Sequence, residues 1–126
     1  MTTRILLIED EPALLELFNT SLNDEGYAVT AYGSLSTARV GLETDSHYDL
    51  AVLDFWVGRE SSLDILKVLR ALKPDLPIIF MSGGADDLSL EMTSALAEAG
   101  GATEFLFKPF KVGDLLTAVS AALLPA

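Results

Sequence analysis

The sequence predicts an α/β fold, a doubly wound parallel sheet of five strands with five helices. Two observations carry that prediction. Short, continuous apolar runs of strand length alternate with stretches of helical period, and the alternation fills all 126 residues without a linker, repeat or low-complexity tract. The runs are rich in Ile, Leu, Val and Phe rather than alternating with polar residues, as strands covered on both faces are.

The expected strands cover 4–8, 28–32, 50–53, 78–81 and 104–107. Between the first two, Leu14, Leu15, Leu17, Phe18, Ser21 and Leu22 recur at three and four, with Pro12 near the start and Gly26 past the end. A weaker helical pattern covers 35–42. A third is built on Leu63, Ile65, Leu66 and Leu69 and stopped by Pro74, and a fourth covers 88–99 before Gly100-Gly101. Leu115, Leu116, Val119 and Leu123 form the fifth, ahead of Pro125. Strand-helix-strand connections in one sheet are right-handed, and ligands bind beyond the carboxyl ends of the strands where strand order reverses. Chemistry is therefore expected at the strand C-termini.

Composition limits the function. The chain carries 19 acidic against 8 basic residues, a formal charge of −11, which disfavours direct nucleic-acid binding by this domain. No apolar run approaches the roughly 20 residues that span a bilayer, and nothing resembles a signal peptide. With no cysteine there is neither a disulfide framework nor a thiolate metal site. A cytoplasmic location is the expectation.

Five polar residues stand where the strands end: Glu9 and Asp10 after the first, Asp54 after the third, Ser82 after the fourth and Lys108 after the fifth. Two bare carboxylates about 5 Å apart repel by roughly 3 kcal/mol at an effective dielectric near 20. Lys108 alone is insufficient against three of them, whereas a hard divalent cation such as Mg²⁺ would suffice. Glu11, by contrast, decorates the first turn of the next helix, where negative charge is mildly favourable. His47 precedes the third strand, at the wrong end for the site, and Met81 and Met92 read as core.

In this order and spacing, "LLIEDEP", "LAVLD", "IIFMSG" and "FLFKPF" resemble the receiver domain of bacterial two-component response regulators, across essentially the whole chain, 1–126. The resemblance implies a flavodoxin-like sheet of strand order 2-1-3-4-5. It implies that Asp54 accepts a phosphoryl group from a sensor histidine kinase, a histidine phosphotransferase or a small phosphodonor, and that Lys108 and Ser82 contact that group. Mg²⁺ would be held by Asp10, Asp54, the backbone carbonyl of Trp56 and, through water, Glu9. Pro109 would follow a cis bond, Ser82 and Phe105 would act as switch residues, and the output face would comprise the fourth helix, fifth strand and fifth helix. Such a protein is not an enzyme on external substrates; it catalyses only its own phosphorylation and dephosphorylation.

The sequence also departs from the family pattern. Val57 and Gly58 stand where a Met-Pro pair is usual, and Ser62 where a glycine is usual, so a looser loop is expected after Asp54. Trp56, the only tryptophan, is expected to hinder the water that hydrolyses the acyl phosphate. Ser82 and Lys108 are 26 residues apart, a few more than the family pattern, which suggests a partner-specific surface on or before the fourth helix. Gly83-Gly84 is expected to begin a mobile loop. The chain ends soon after its last helix, so the reading is a stand-alone signalling domain whose output is protein binding. The alternatives are a non-phosphorylated pseudo-receiver, which usually loses the acceptor or the acid pair, and a phosphatase of the haloacid-dehalogenase type. The latter needs a second aspartate two residues past the nucleophile, where this chain has Trp56.

Overall fold

The computed structural model describes residues 2–83 and 103–124. Its elements run β1 (Arg4–Ile8), α1 (Pro12–Asp24), β2 (Ala28–Tyr32), α2 (Leu35–Thr44), β3 (Leu50–Asp54), β4 (Trp56–Val57), β5 (Glu60–Ser61), α3 (Leu63–Leu72), β6 (Ile78–Gly83), β7 (Thr103–Lys108) and α4 (Val112–Ala122). Five strands form one parallel sheet in the order β2-β1-β3-β6-β7, which is the expected 2-1-3-4-5 once the short β4–β5 hairpin is set aside. The expected helix over 88–99, and with it the partner-specific surface, lies outside the described residues.

Why the strands read as unbroken apolar runs is visible in β1. Ile5 and Leu7 enter a core shared with Phe18 and Leu22 of α1 and with Leu115 and Val119 of α4. Leu6 and Ile8 point the other way, into a second core with Leu35 and Ala38 of α2 and Ile65, Leu66 and Leu69 of α3. Consecutive strand side chains face opposite sides, so a central strand with helices on both faces is apolar at successive positions. All five residues of β3 are buried.

Helix ends follow local chemistry. Gly26 takes φ +94° just beyond α1, its N–H bonding to the Asn23 carbonyl while the Tyr27 N–H reaches Leu22, a Schellman stop that needs a residue tolerant of positive φ. Ser34 caps α2 by accepting the Thr37 N–H at 3.2 Å. The Lys111 N–H at the start of α4 is accepted by Asp114 at 3.0 Å.

Three strands run further than the apolar pattern suggests. β3 includes Asp54, β6 continues through Ser82 to Gly83, and β7 reaches Lys108. Ladder hydrogen bonds belong to the backbone, so a polar side chain does not end a strand whose neighbour is still present. Gly83 thus closes β6, paired in register with Lys108, and the expected loop from Gly84 lies outside the described residues.

Candidate functional site

Strand order reverses between β1 and β3, whose last paired residues are Ile8 and Leu53. The next residues of each strand therefore project from the same rim. Glu9 is fully buried and Asp54 only 5 % exposed, whereas Asp10 is exposed. One carboxylate oxygen from each of the three lies within 4.8 Å of the other two.

Among the described residues a single ammonium pairs with two of them. Lys108 Nζ donates to Glu9 Oε1 at 2.5 Å and to Asp54 Oδ2 at 3.1 Å. The second oxygen of Glu9 accepts the Glu11 N–H at 3.2 Å, at the mouth of α1. Burial pushes the Asp54 carboxyl up, the neighbouring Glu9 pushes it further, and Lys108 only partly opposes them, leaving it near a pKa of about 8. Burial also works against the Lys108 ammonium, but Glu9 and Asp54 together outweigh that and raise its pKa. One amine does not neutralise the cluster, so the site favours a further positive charge.

The donor set fits a hard cation. Three carboxylates offer oxygen ligands only, from a small volume walled by the sheet, and Mg²⁺ is bound through one or two carboxylates while keeping several waters. Among the described residues these are the only three acidic or imidazole side chains grouped closely enough to hold an ion.

The remaining residues singled out in the sequence take positions around this rim. Ser82 is buried on β6, one step past Met81, the register partner of Asp54. The Lys108–Pro109 bond is cis. Phe105 is half-buried on β7 and stacks on Phe80 at 5.2 Å. It belongs to a row of rings in contact from Trp56 through Phe55, Phe80 and Phe105 to the exposed Phe107. His47 sits at the opposite end of the sheet, its carbonyl accepting from Arg4.

The segment after Asp54 differs from the looser loop expected of it. Trp56–Val57 and Glu60–Ser61 pair as a small antiparallel hairpin, with Trp56 opposite Ser61 and Val57 opposite Glu60. Gly58 has φ +64°, and among the described residues only glycines take positive φ, the pattern of a turn with glycine at its first central position. Arg39 of α2 reaches Glu60 at 3.2 Å and Asp64 at 4.0 Å, tying the hairpin to its surroundings. Its Gly58 N–H donates to Asp10 Oδ2 at 2.9 Å. The sequence reading missed this donor, although a glycine where a proline is usual was the available signal, since proline carries no N–H. It also missed that Lys108 sits closer to Glu9 than to Asp54.

Comparison with known proteins agrees with this architecture. The family model described as response regulator receiver domain matches residues 5–120. The alginate biosynthesis transcriptional regulatory protein AlgB of Pseudomonas putida is 32% identical over 95% of this chain, and the cell cycle transcriptional regulator CtrA of Caulobacter vibrioides 32% over 95%. This chain spans only 26% and 50% of those two proteins. Among solved structures, a response regulator receiver protein from Sinorhizobium medicae is 33% identical with a TM-score of 0.82, covering 97% of this chain and 94% of that one. A CheY-like receiver domain protein from Methanospirillum hungatei gives 26% and 0.83, covering 98% and 94%. With sheet order, acidic rim and family match in agreement, the chain belongs to the response regulator receiver domains of two-component signalling systems.

Proposed function

We propose that Asp54 is the phosphoacceptor of this receiver and that residues 1–126 act as one signalling unit. The observation that carries the reading is the unbalanced charge at the rim: of three grouped carboxylates, Glu9 and Asp54 share the single ammonium of Lys108, and Asp10 has no ion-pair partner among the described residues. A site left short of positive charge is suited to take up a cation together with a phosphoryl group.

In the proposed reaction, an Asp54 carboxylate oxygen attacks the phosphorus of a phosphohistidine. The P–N bond breaks, the electron pair stays on the imidazole, which takes up a proton from solvent, and Asp54 becomes an acyl phosphate. Phosphoryl transfer asks a protein mainly for positioning and charge stabilisation. Lys108 supplies both, moving its hydrogen bonds from the Asp54 carboxylate to the phosphoryl oxygens. The Ser82 hydroxyl donates to one of those oxygens. Asp10, Asp54, the Trp56 carbonyl and, through water, Glu9 would hold Mg²⁺, which receiver domains bind in such an acidic pocket. Bound there, the ion would neutralise the carboxylates and the incoming phosphoryl oxygens.

Phosphorylation adds about −1.5 to −2 charge and three strong acceptors. Engagement of Ser82 by the phosphoryl group biases Phe105 toward a second rotamer and changes the surface around β7 and α4, a population shift read by a protein partner. The partners on this reading are a sensor histidine kinase or histidine phosphotransferase upstream and a target protein downstream. Nucleic acid is not contacted by this domain, and the setting is the cytoplasm. Among the described residues no helix is long and apolar enough to cross a membrane.

The test combines the protein with Mg²⁺ and a small acyl-phosphate donor and follows intact mass. The wild type should gain one phosphoryl group, and Asp54→Ala none. A wild type of unchanged mass, or a variant labelled equally well, rejects the assignment. Trp56, half-buried with its ring edge-on to Phe55 at 5.2 Å, is proposed to slow hydrolysis of the product. Loss of the label should therefore be several-fold faster in Trp56→Asn; an unchanged lifetime removes that role.

A further inference from the structure

We infer that the backbone N–H of Gly58 is the positioning group for Asp10, holding one of its carboxylate oxygens so that the other is presented to the cation. The inference rests on the reading of Glu9, Asp10 and Asp54 as a Mg²⁺ site. Three observations support it. Asp10 is the exposed member of the acidic group, without the burial that fixes Glu9 and Asp54. The Gly58 N–H reaches its Oδ2 at 2.9 Å. Gly58 itself is held at the tip of a paired hairpin whose far strand is clamped to α2 through Arg39 and Glu60.

Neither feature of Gly58 is available to proline. Proline has no amide hydrogen, and its ring fixes φ near −65°, whereas Gly58 sits at +64°. The glycine that departs from the usual pattern therefore creates an interaction that the usual residue could not make. A Cβ at this position would meet nothing within 4 Å, so the requirement is conformational and not steric. Because the hairpin begins at Trp56, two residues past Asp54, one short element carries both the Trp56 carbonyl and the amide that orients Asp10.

Partners that orient a metal ligand typically change metal affinity 10- to 100-fold when removed. Mg²⁺ affinity is measured by calorimetry on wild type, Gly58→Asn and Gly58→Pro, with no phosphodonor present. Asparagine keeps the N–H and is among the residues such turns accept; it should stay within about threefold of wild type, while proline should lose about tenfold or more. Equal affinity for the proline variant, or equal losses for both, overturns the inference. Because proline also perturbs the turn, the contact is read independently in the metal-free protein by hydrogen exchange and amide chemical shift. The Gly58 amide should be protected in wild type and lose both protection and its shift in Asp10→Ala. An unprotected amide in a protein that binds Mg²⁺ overturns the positioning role alone. A protected, Asp10-dependent amide in a wild type that fails to bind Mg²⁺ overturns the metal-site reading instead, and the purpose assigned to the contact with it.

Discussion

The two ends of β1 handle charge in opposite ways. At its start, Arg4 forks onto both oxygens of Asp45, donates to the His47 carbonyl, lies over the Tyr48 ring at 5.0 Å, and its backbone N–H meets Asp49 at 2.8 Å. The pairing raises the Arg4 pKa and lowers that of Asp45, as each stabilises the other's charged form. At the other end, one lysine serves buried Glu9 and Asp54, and Asp54 is driven up to about 8. The amino end is balanced and open to solvent; the carboxyl end is enclosed and left in deficit. Stability alone favours the first arrangement. The second is worth keeping only if something positive or phosphorylated visits it, which is the physical sense in which the sheet has a structural end and a working end.

That contrast can be broken by exchanging the cation at each end. Lys108→Met leaves Glu9 buried without its partner and should lower unfolding free energy by about 3 kcal/mol in denaturant titrations. Arg4→Met removes a half-exposed fork and should shift the midpoint only slightly. Comparable losses from the two variants would erase the distinction.

The pH dependence sharpens it. The folded pKa of Asp54 lies above its unfolded value of 3.8, so the stability linked to its protonation is fully present below about pH 4 and disappears as pH rises through about 8. Metal-free Asp54→Asn should therefore be more stable than wild type at pH 7.5, by about 2 kcal/mol, with the gap shrinking toward pH 4. Saturating Mg²⁺ should stabilise the wild type more than the variant. A gap that widens on acidification would contradict the charge deficit.

A smaller effect concerns the hydroxyl of Ser62, buried without a hydrogen-bond partner among the described residues at the start of α3. Burying an unsatisfied hydroxyl is costly, so Ser62→Ala should raise stability by about 1 kcal/mol. A loss of that size would point instead to a bound water or ligand there.

Much of this was legible in the residue pattern, and the gaps have causes. Two-sided burial made the strands of the sheet visible as apolar runs, and Pro12 with Gly26 bracketed α1. The rim residues could be gathered because strand ends in a parallel sheet share an edge. The apolar runs alone stop short of the observed ends of β3, β6 and β7, because Asp54, Ser82 and Lys108 are polar while their ladder bonds ignore side chains. Two-residue strands such as Trp56–Val57 have no periodicity to detect, so the hairpin was invisible, and Gly58 read as a loss where it is a donor. The preference of Lys108 for Glu9 depends on backbone positions that no spacing encodes.

Division of the interior into two cores has a consequence for how descendants of this gene can vary. Ile5 and Leu7 supply one core, Leu6 and Ile8 the other. Loss of a single codon within β1 would send each following side chain into the wrong compartment, rewriting both interiors in one event. Substitutions can accumulate within such a strand, but changes of length are confined to the segments between strands. Divergence in this lineage should therefore proceed by exchange of residues in the sheet and by growth or shrinkage only in its connections.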